Sequence, residues 1–263
     1  MSSPEDETLR RLRQEATDRP ADARAQFRLG TRLQELGRSE EAIAALRRAA
    51  DAAPNVAAAH FGLAGALYAA GRLEEAAERY RTCLRLDADA ATANNLGNCL
   101  VRMERTAEAR GAFQSALGFD PDFVPALTNL GRLLLQENEP AAAVEPLRRA
   151  AAGAPQRAAI AVLSAAAFRR SSQPAAALEH SQRAVELEPE DVDALLEHGD
   201  VLTALERLDE AAFYYAKAAE FGPDEARVFQ RLGDLNVRRG QEFEARFCYA
   251  KVQEIHDRGR RDG

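Results

Sequence analysis

The chain of 263 residues predicts an all-α solenoid of seven antiparallel helix pairs, and three observations lead there. Leu29, Leu63, Leu96, Leu130 and Leu232 recur at one place in a pattern that returns about every 34 residues. Gly30, Gly97, Gly131 and Gly233 follow four of them, and Ala64 follows Leu63. A fixed alanine comes later in each unit, at Ala42, Ala76, Ala109, Ala143, Ala177, Ala211 and Ala245. A proline precedes most units, at Pro20, Pro54, Pro121, Pro155, Pro189 and Pro223, with Ala88 as the exception. Good helix formers dominate the composition and no alternating strand pattern appears. Such a period marks stacked units, each burying its apolar face only against its neighbours.

Taken in order, residues 1–22 come first. Leu9, Leu12 and Ala16 form a stripe that predicts a capping helix or the remnant of a preceding helix B, and Glu5, Asp6 and Glu7 sit where a helix dipole favours acids. Seven units follow at 23–56, 57–89, 90–123, 124–157, 158–191, 192–225 and 226–259, and 260–263 form a polar tail. Helix A of each unit carries the leucine–glycine pair, whose small residue lets helix B approach closely. Gly37, Gly71 and Gly240 predict a left-handed backbone that ends helix A. Helix B carries the alanine and, four residues on and so on the same face, Leu46, Tyr80, Phe113, Leu147, Tyr215 or Tyr249. The proline then disfavours helix before it and starts the next element. Three departures stand out. The second unit is one residue short near Ala88. The fifth has Ser164, Ala165 and Ser181 where leucine, glycine and an aromatic belong, and the sixth has His198 for leucine. Looser packing, a hinge or a bend is expected there.

Leu29-Gly30, Leu33, Gly37, Ala42, Leu46, Ala49 and Pro54, echoed by Phe229, Leu232-Gly233, Gly240, Ala245 and Tyr249, resemble the tetratricopeptide repeat family over residues 23 to about 256. The resemblance implies a right-handed superhelix whose A helices line a concave groove that holds a peptide or a helix of a partner protein. Its groove places would then present Phe27, Arg28, Phe61 and Tyr68 near the N-terminal end, beside Arg24. Asn94, Asn95, Asn98, Asn129 and Arg132 follow in the centre, and Asp193, Glu197 and Asp200 toward the C-terminal end. Asn95 and Asn129 share a place in consecutive units, and an asparagine amide both donates and accepts, so a short ladder gripping a peptide backbone is expected. Phe27, Phe61 and Tyr68 form either an apolar pocket or surface covered by neighbouring helices. The lysine–asparagine–asparagine–lysine–arginine clamp of the chaperone-binding members is not reproduced in any three consecutive units.

A second face carries Phe213, Tyr214, Phe243 and Phe247. Phe213 and Phe247 take a place that is Ala44, Glu78, Gly111, Glu145 and Glu179 earlier, and Phe243 lies one turn before Phe247. Such a cluster either joins copies of the chain or seals the array's end from within.

The expected function is a non-catalytic adaptor. The alternatives are a self-associating scaffold and a docking partner of an enzyme on another chain. The net charge of −7 opposes non-specific nucleic-acid binding, and the basic stretches Arg148-Arg149 and Arg169-Arg170 read as solvated faces. Cys83, Cys99 and Cys248 cannot all pair within one chain, and Cys83 falls at a packed alanine place. No zinc spacing, phosphate loop or dinucleotide fingerprint appears, so no cofactor or metal is expected. His60, His180, His198 and His256 have no evident catalytic partner. The start lacks a secretory pattern, and the apolar run near residues 158–168 is too short to span a membrane. A cytoplasmic setting is expected, and the alanine–arginine richness suggests a bacterial source.

Overall fold

The computed structural model describes residues 4–261, and every regular element among them is an α-helix. The chain divides into two compact units, Met1–Asn129 and Leu130–Gly263. The first holds α1 (Pro4–Asp18), α2 (Ala23–Glu35), α3 (Ser39–Ala52), α4 (Ala57–Ala69), α5 (Leu73–Leu86), α6 (Ala90–Arg102), α7 (Thr106–Phe119) and the start of α8 (Val124–Gln136). The second holds the rest of α8, then α9 (Pro140–Gly153), α10 (Ala158–Arg170), α11 (Pro174–Leu187), α12 (Val192–Ala204), α13 (Leu208–Phe221), α14 (Ala226–Arg238) and α15 (Glu242–Arg261). In the first unit α2 packs on α3, α4 on α5 and α6 on α7; in the second α10 packs on α11, α12 on α13 and α14 on α15.

The glycine after the signature leucine sets these contacts. A Cβ on Gly30 would lie 2.5 Å from Leu46, on Gly97 2.4 Å from Phe113, and on Gly131 2.3 Å from Leu147. Gly199 and Gly233 face Tyr215 and Tyr249 in the same way. Each glycine thus admits the large side chain of its own helix B, and that side chain plugs the hairpin.

Every A helix ends alike. The amides of Arg38, Arg72, Arg105, Glu139, Gln173, Arg207 and Gln241 each donate to the carbonyl five residues back, the outer bond of a Schellman motif. The residue before each is left-handed. It is glycine at Gly37, Gly71 and Gly240, but Glu104, Asn138, Ser172 and Glu206 hold φ of 59 to 62° without that freedom. Asp22, Asp89 and Asp191 cap α2, α6 and α12 by accepting from backbone amides of the first turn.

Leu9, Leu12 and Ala16 of α1 are buried against Leu29, Leu33, Ala42 and Ala45. Glu7 is exposed, and the side chains of Glu5 and Asp6 lie outside the described residues. The residue missing from the second repeat comes out of the α5–α6 loop, residues 87–89, and both flanking helices keep their length. The loosening expected at the fifth and sixth units is not what the structure shows. Ser164 is fully buried and donates to the Leu147 carbonyl at 3.0 Å. Ser181, also fully buried, meets His198 Nδ1 at 2.9 Å, so these two departures compensate each other across α11 and α12. Residues 260 and 261, placed by the sequence in the polar tail, continue α15, which spans twenty residues against fourteen in α13. Among the described residues no helix is long and apolar enough to cross a membrane.

Candidate functional site

In the first unit the A helices α2 and α4 flank an apolar recess of about 560 Å3. Ala23, Phe27, Val56, Ala58 and Ala59 supply its walls, and Arg24 and Arg28 stand at its edge. Two local features shape it. Gly62 on α4 lets the Phe27 ring lie against the helix, since a Cβ there would be 2.5 Å from the ring. Val56 ends the α3–α4 loop in extended backbone and stays about half exposed at 49%. Arg28 is drawn toward α1, pairing with Glu15 at 3.1 Å.

The three aromatics considered for one pocket do not share it. Phe61 turns to Tyr80, ring centroids 5.7 Å apart and edge-on. Tyr68 lies beneath the Arg102 guanidinium, 4.8 Å from its ring, and Arg102 also donates to the Tyr68 carbonyl at 3.0 Å. Only Phe27 lines the recess. Arg24, also read as a groove residue, lines it beside Phe27, whereas Val56 was harder to single out because it reads as a loop residue.

The asparagine ladder is likewise corrected. Asn129 Nδ2 donates to Asn94 Oδ1 at 2.8 Å and to Asn98 Oδ1 at 3.1 Å. That amide is spent on tying α8 to α6 rather than offered to a peptide, and Asn94 is buried. Asn95, the other expected rung, takes no part in this clamp and is half-buried.

In the second unit the acids expected to meet a partner are consumed internally. Arg169 donates to Glu197 through Nε and Nη2 at 2.7 and 2.9 Å, and its Nη2 lies 3.3 Å from Asp200. Asp200 also accepts from Arg231 Nε and from the Tyr215 hydroxyl, both at 2.7 Å. Burial pushes the Glu197 carboxyl above the usual carboxylate range, and the Arg169 hydrogen bonds offset part of that. Burial, with Asp200 alongside, raises the Tyr215 phenol above its ordinary value. Asp193 pairs with Arg227, which also holds Glu225. Arg132 is exposed. Arg169, read from sequence as a solvated face, is the centre of the network. The signal that finds it is spacing. Arg169–Glu197 repeats the 28-residue interval of Arg13–Glu41 and Arg47–Glu75, while Asp200–Arg231 repeats the 31-residue interval of Asn98–Asn129. Both fall a few residues short of one repeat, joining one helix to the equivalent helix of the next pair.

On the outer side of the B helices, Phe213, Phe243 and Phe247 are 63, 82 and 67% exposed, so they do not seal the end of the array. Tyr214 joins this face to the interior: it is half-buried, with its ring edge-on to Phe213 at 5.2 Å and to His198 at 4.4 Å.

The Ser181–His198 contact is the nearest thing to a nucleophile beside a base, but 0 and 5% exposure shuts it away from substrate. Burial depresses the His198 and His180 imidazoles below their ordinary value. The three cysteines are buried free thiols, and burial pushes Cys83 and Cys99 up to about 11. Among the described residues no group of three or more His, Cys, Asp or Glu side chains is placed to hold a metal ion.

A tetratricopeptide repeat family model matches residues 27–91, 94–158 and 159–226. Solved structures share the fold. PilF of Pseudomonas aeruginosa is 23% identical with a TM-score of 0.67, over 82% of this chain and 97% of that one. YrrB, described as a TPR protein with an unusual peptide-binding site, is 23% identical with a TM-score of 0.58, over 68% and 93%. MamA is 23% identical with a TM-score of 0.57, over 65% and 94%. No curated protein matches the chain.

Proposed function

The chain belongs to the tetratricopeptide repeat family, a family of protein-interaction scaffolds, and from that premise we propose that it is a non-catalytic adaptor that docks a segment of a partner protein in the recess between α2 and α4. The observation that carries this reading is the recess itself. Its volume of about 560 Å3 falls within the range of ligand-holding clefts, and its walls are almost wholly apolar. A large aliphatic or aromatic side chain fills such a recess as a buried anchor. Arg24 at its edge favours an acidic residue next to that anchor. The sealed Ser181–His198 pair supports a non-catalytic role, and the peptide-binding site of YrrB supports peptide capture on this fold.

A peptide array probed with the wild-type chain and with Ala58→Arg tests this. Ala58 is exposed on the recess wall, and arginine there fills the space while remaining a good helix former. Peptides pairing a large apolar residue with an acid bind the wild type and are lost with the variant. Equal binding by both chains rejects the recess as the docking site.

A further inference from the structure

Three places on the outer side of each helix B lie at i, i+4 and i+7 and so form one narrow stripe. In α3 they are Glu40, Ala44 and Arg47, and in α5 they are Glu74, Glu78 and Arg81. The stripe is without charge in α7, as Ala107, Gly111 and Gln114, and its first aromatic comes in α13, where it reads Asp209, Phe213 and Ala216. In α15 it is wholly apolar, with Phe243, Phe247 and Ala250, and all three are exposed. Two rings followed one turn later by a methyl suit a second helix laid alongside in the opposite direction, because the outer ring then finds a small residue to rest on.

The charges beside the stripe say which helix. Glu244 and Lys251 flank one side of it and Arg246 the other. We propose that α15 pairs antiparallel with α15 of a second copy, about a twofold axis at Phe247. Phe247 then meets its counterpart, Phe243 rests on Ala250 of the second copy, and Glu244 meets Lys251 of the second copy, the last two contacts each occurring twice. A parallel pairing would set Arg246 against Lys251 of the second copy, two like charges, and would stack ring on ring and methyl on methyl. Sign pattern and side-chain size therefore select the same antiparallel arrangement. Lys251 holds Glu254 of its own helix at 3.0 Å, an exposed pair of little worth that exchange can replace. The two rings offer roughly 300 Å2 per copy, and even with their flanks this belongs to the small, transient class of interface, so dissociation at roughly 100 µM is expected.

Sedimentation of the full chain between about 10 µM and about 1 mM tests this, since that range brackets the expected affinity. The wild type passes from monomer to dimer. Phe247→Glu, which sets two carboxylates against each other on the axis, weakens the dimer about tenfold or more. Its helicity and melting stay unchanged, because Phe247 is exposed. Ala250→Arg, which restores the residue type that α3 and α5 carry at this place, weakens the dimer as well. Glu244→Lys and Lys251→Glu each weaken it, and the two together restore it. A wild type that stays monomeric throughout, a mass insensitive to Phe247→Glu or Ala250→Arg, or a double charge reversal without recovery overturns the proposal.

Discussion

Substituting alanine for glycine has opposite consequences at two places in this chain. Gly199 in α12 faces Tyr215, and a Cβ there would lie 2.3, 2.6 and 3.0 Å from three ring atoms. At the same place α4 carries Ala64, so a methyl is admissible where the facing ring can be seated around it. Tyr215 has little such latitude. It is 2% exposed, and its hydroxyl is tied to Asp200 at 2.7 Å and to Thr203 at 3.3 Å. Overpacking at a pinned side chain costs about 3 kcal/mol, the upper part of the usual range. The better helix propensity of alanine returns about 1 kcal/mol. Gly199→Ala therefore destabilises the second unit by about 2 kcal/mol, roughly 4–8 °C in Tm for a chain of this size. Gly111 in the interior of α7 is exposed, with nothing within 4 Å of its would-be Cβ, so Gly111→Ala stabilises by about 1 kcal/mol. Thermal melts followed by far-ultraviolet circular dichroism, with urea titrations beside them, read both. A Gly199→Ala chain melting at or above the wild type, or a Gly111→Ala chain melting below it, refutes the reasoning.

Three further outcomes follow from the same geometry. Glu206 holds a φ of 59°, so Glu206→Gly relieves left-handed strain and raises stability by about 1 kcal/mol in urea titrations, whereas Gly71→Ala, at a φ of 77°, lowers it. Arg169→Met strands Glu197, which is 8% exposed, and costs about 3–5 kcal/mol at neutral pH. Because burial raises the folded pKa of Glu197, the stability tied to its neutral form is present below the ordinary carboxylate value and lost as pH rises through the raised one. The variant's deficit in melts is therefore smaller near pH 4 than near pH 7. For His198 and His180 the folded pKa is depressed below 6.5, so their contribution is present above that value and lost as pH falls through it toward the folded pKa. Wild-type stability declines from pH 7 to pH 5, and His198→Leu, which leaves Ser181 bonded to the Leu178 carbonyl, flattens that decline.

The helix pairs were legible because the repeat supplies the same message many times over. Leu29-Gly30 alone is a common dipeptide, but its recurrence with Ala42 and Pro54 fixes which faces must be buried. The left-handed ends at Glu104, Asn138, Ser172 and Glu206 were not legible residue by residue. Nothing in glutamate or serine advertises positive φ, and only their register with Gly37 and Gly71 does so. The candidate site was less readable, because groove places were taken as facing outward while several of their side chains bond one another. Asn129 and Asn94, or Arg169 and Glu197, lie about one repeat apart, where the sequence shows polar residues but not which of them meet. Phe27 was readable as a groove residue, whereas its recess also needs Gly62 and Val56 from outside that set of places.

Methyl-resolved NMR of the chain titrated with an array-selected peptide tests the central claim most directly. Docking in the recess predicts shift changes concentrated at Ala23, Val56, Ala58 and Ala59, with the methyls of α13 and α15 unmoved. Changes centred on the outer faces of the B helices, or no saturable change at the methyls of those four residues, would contradict it.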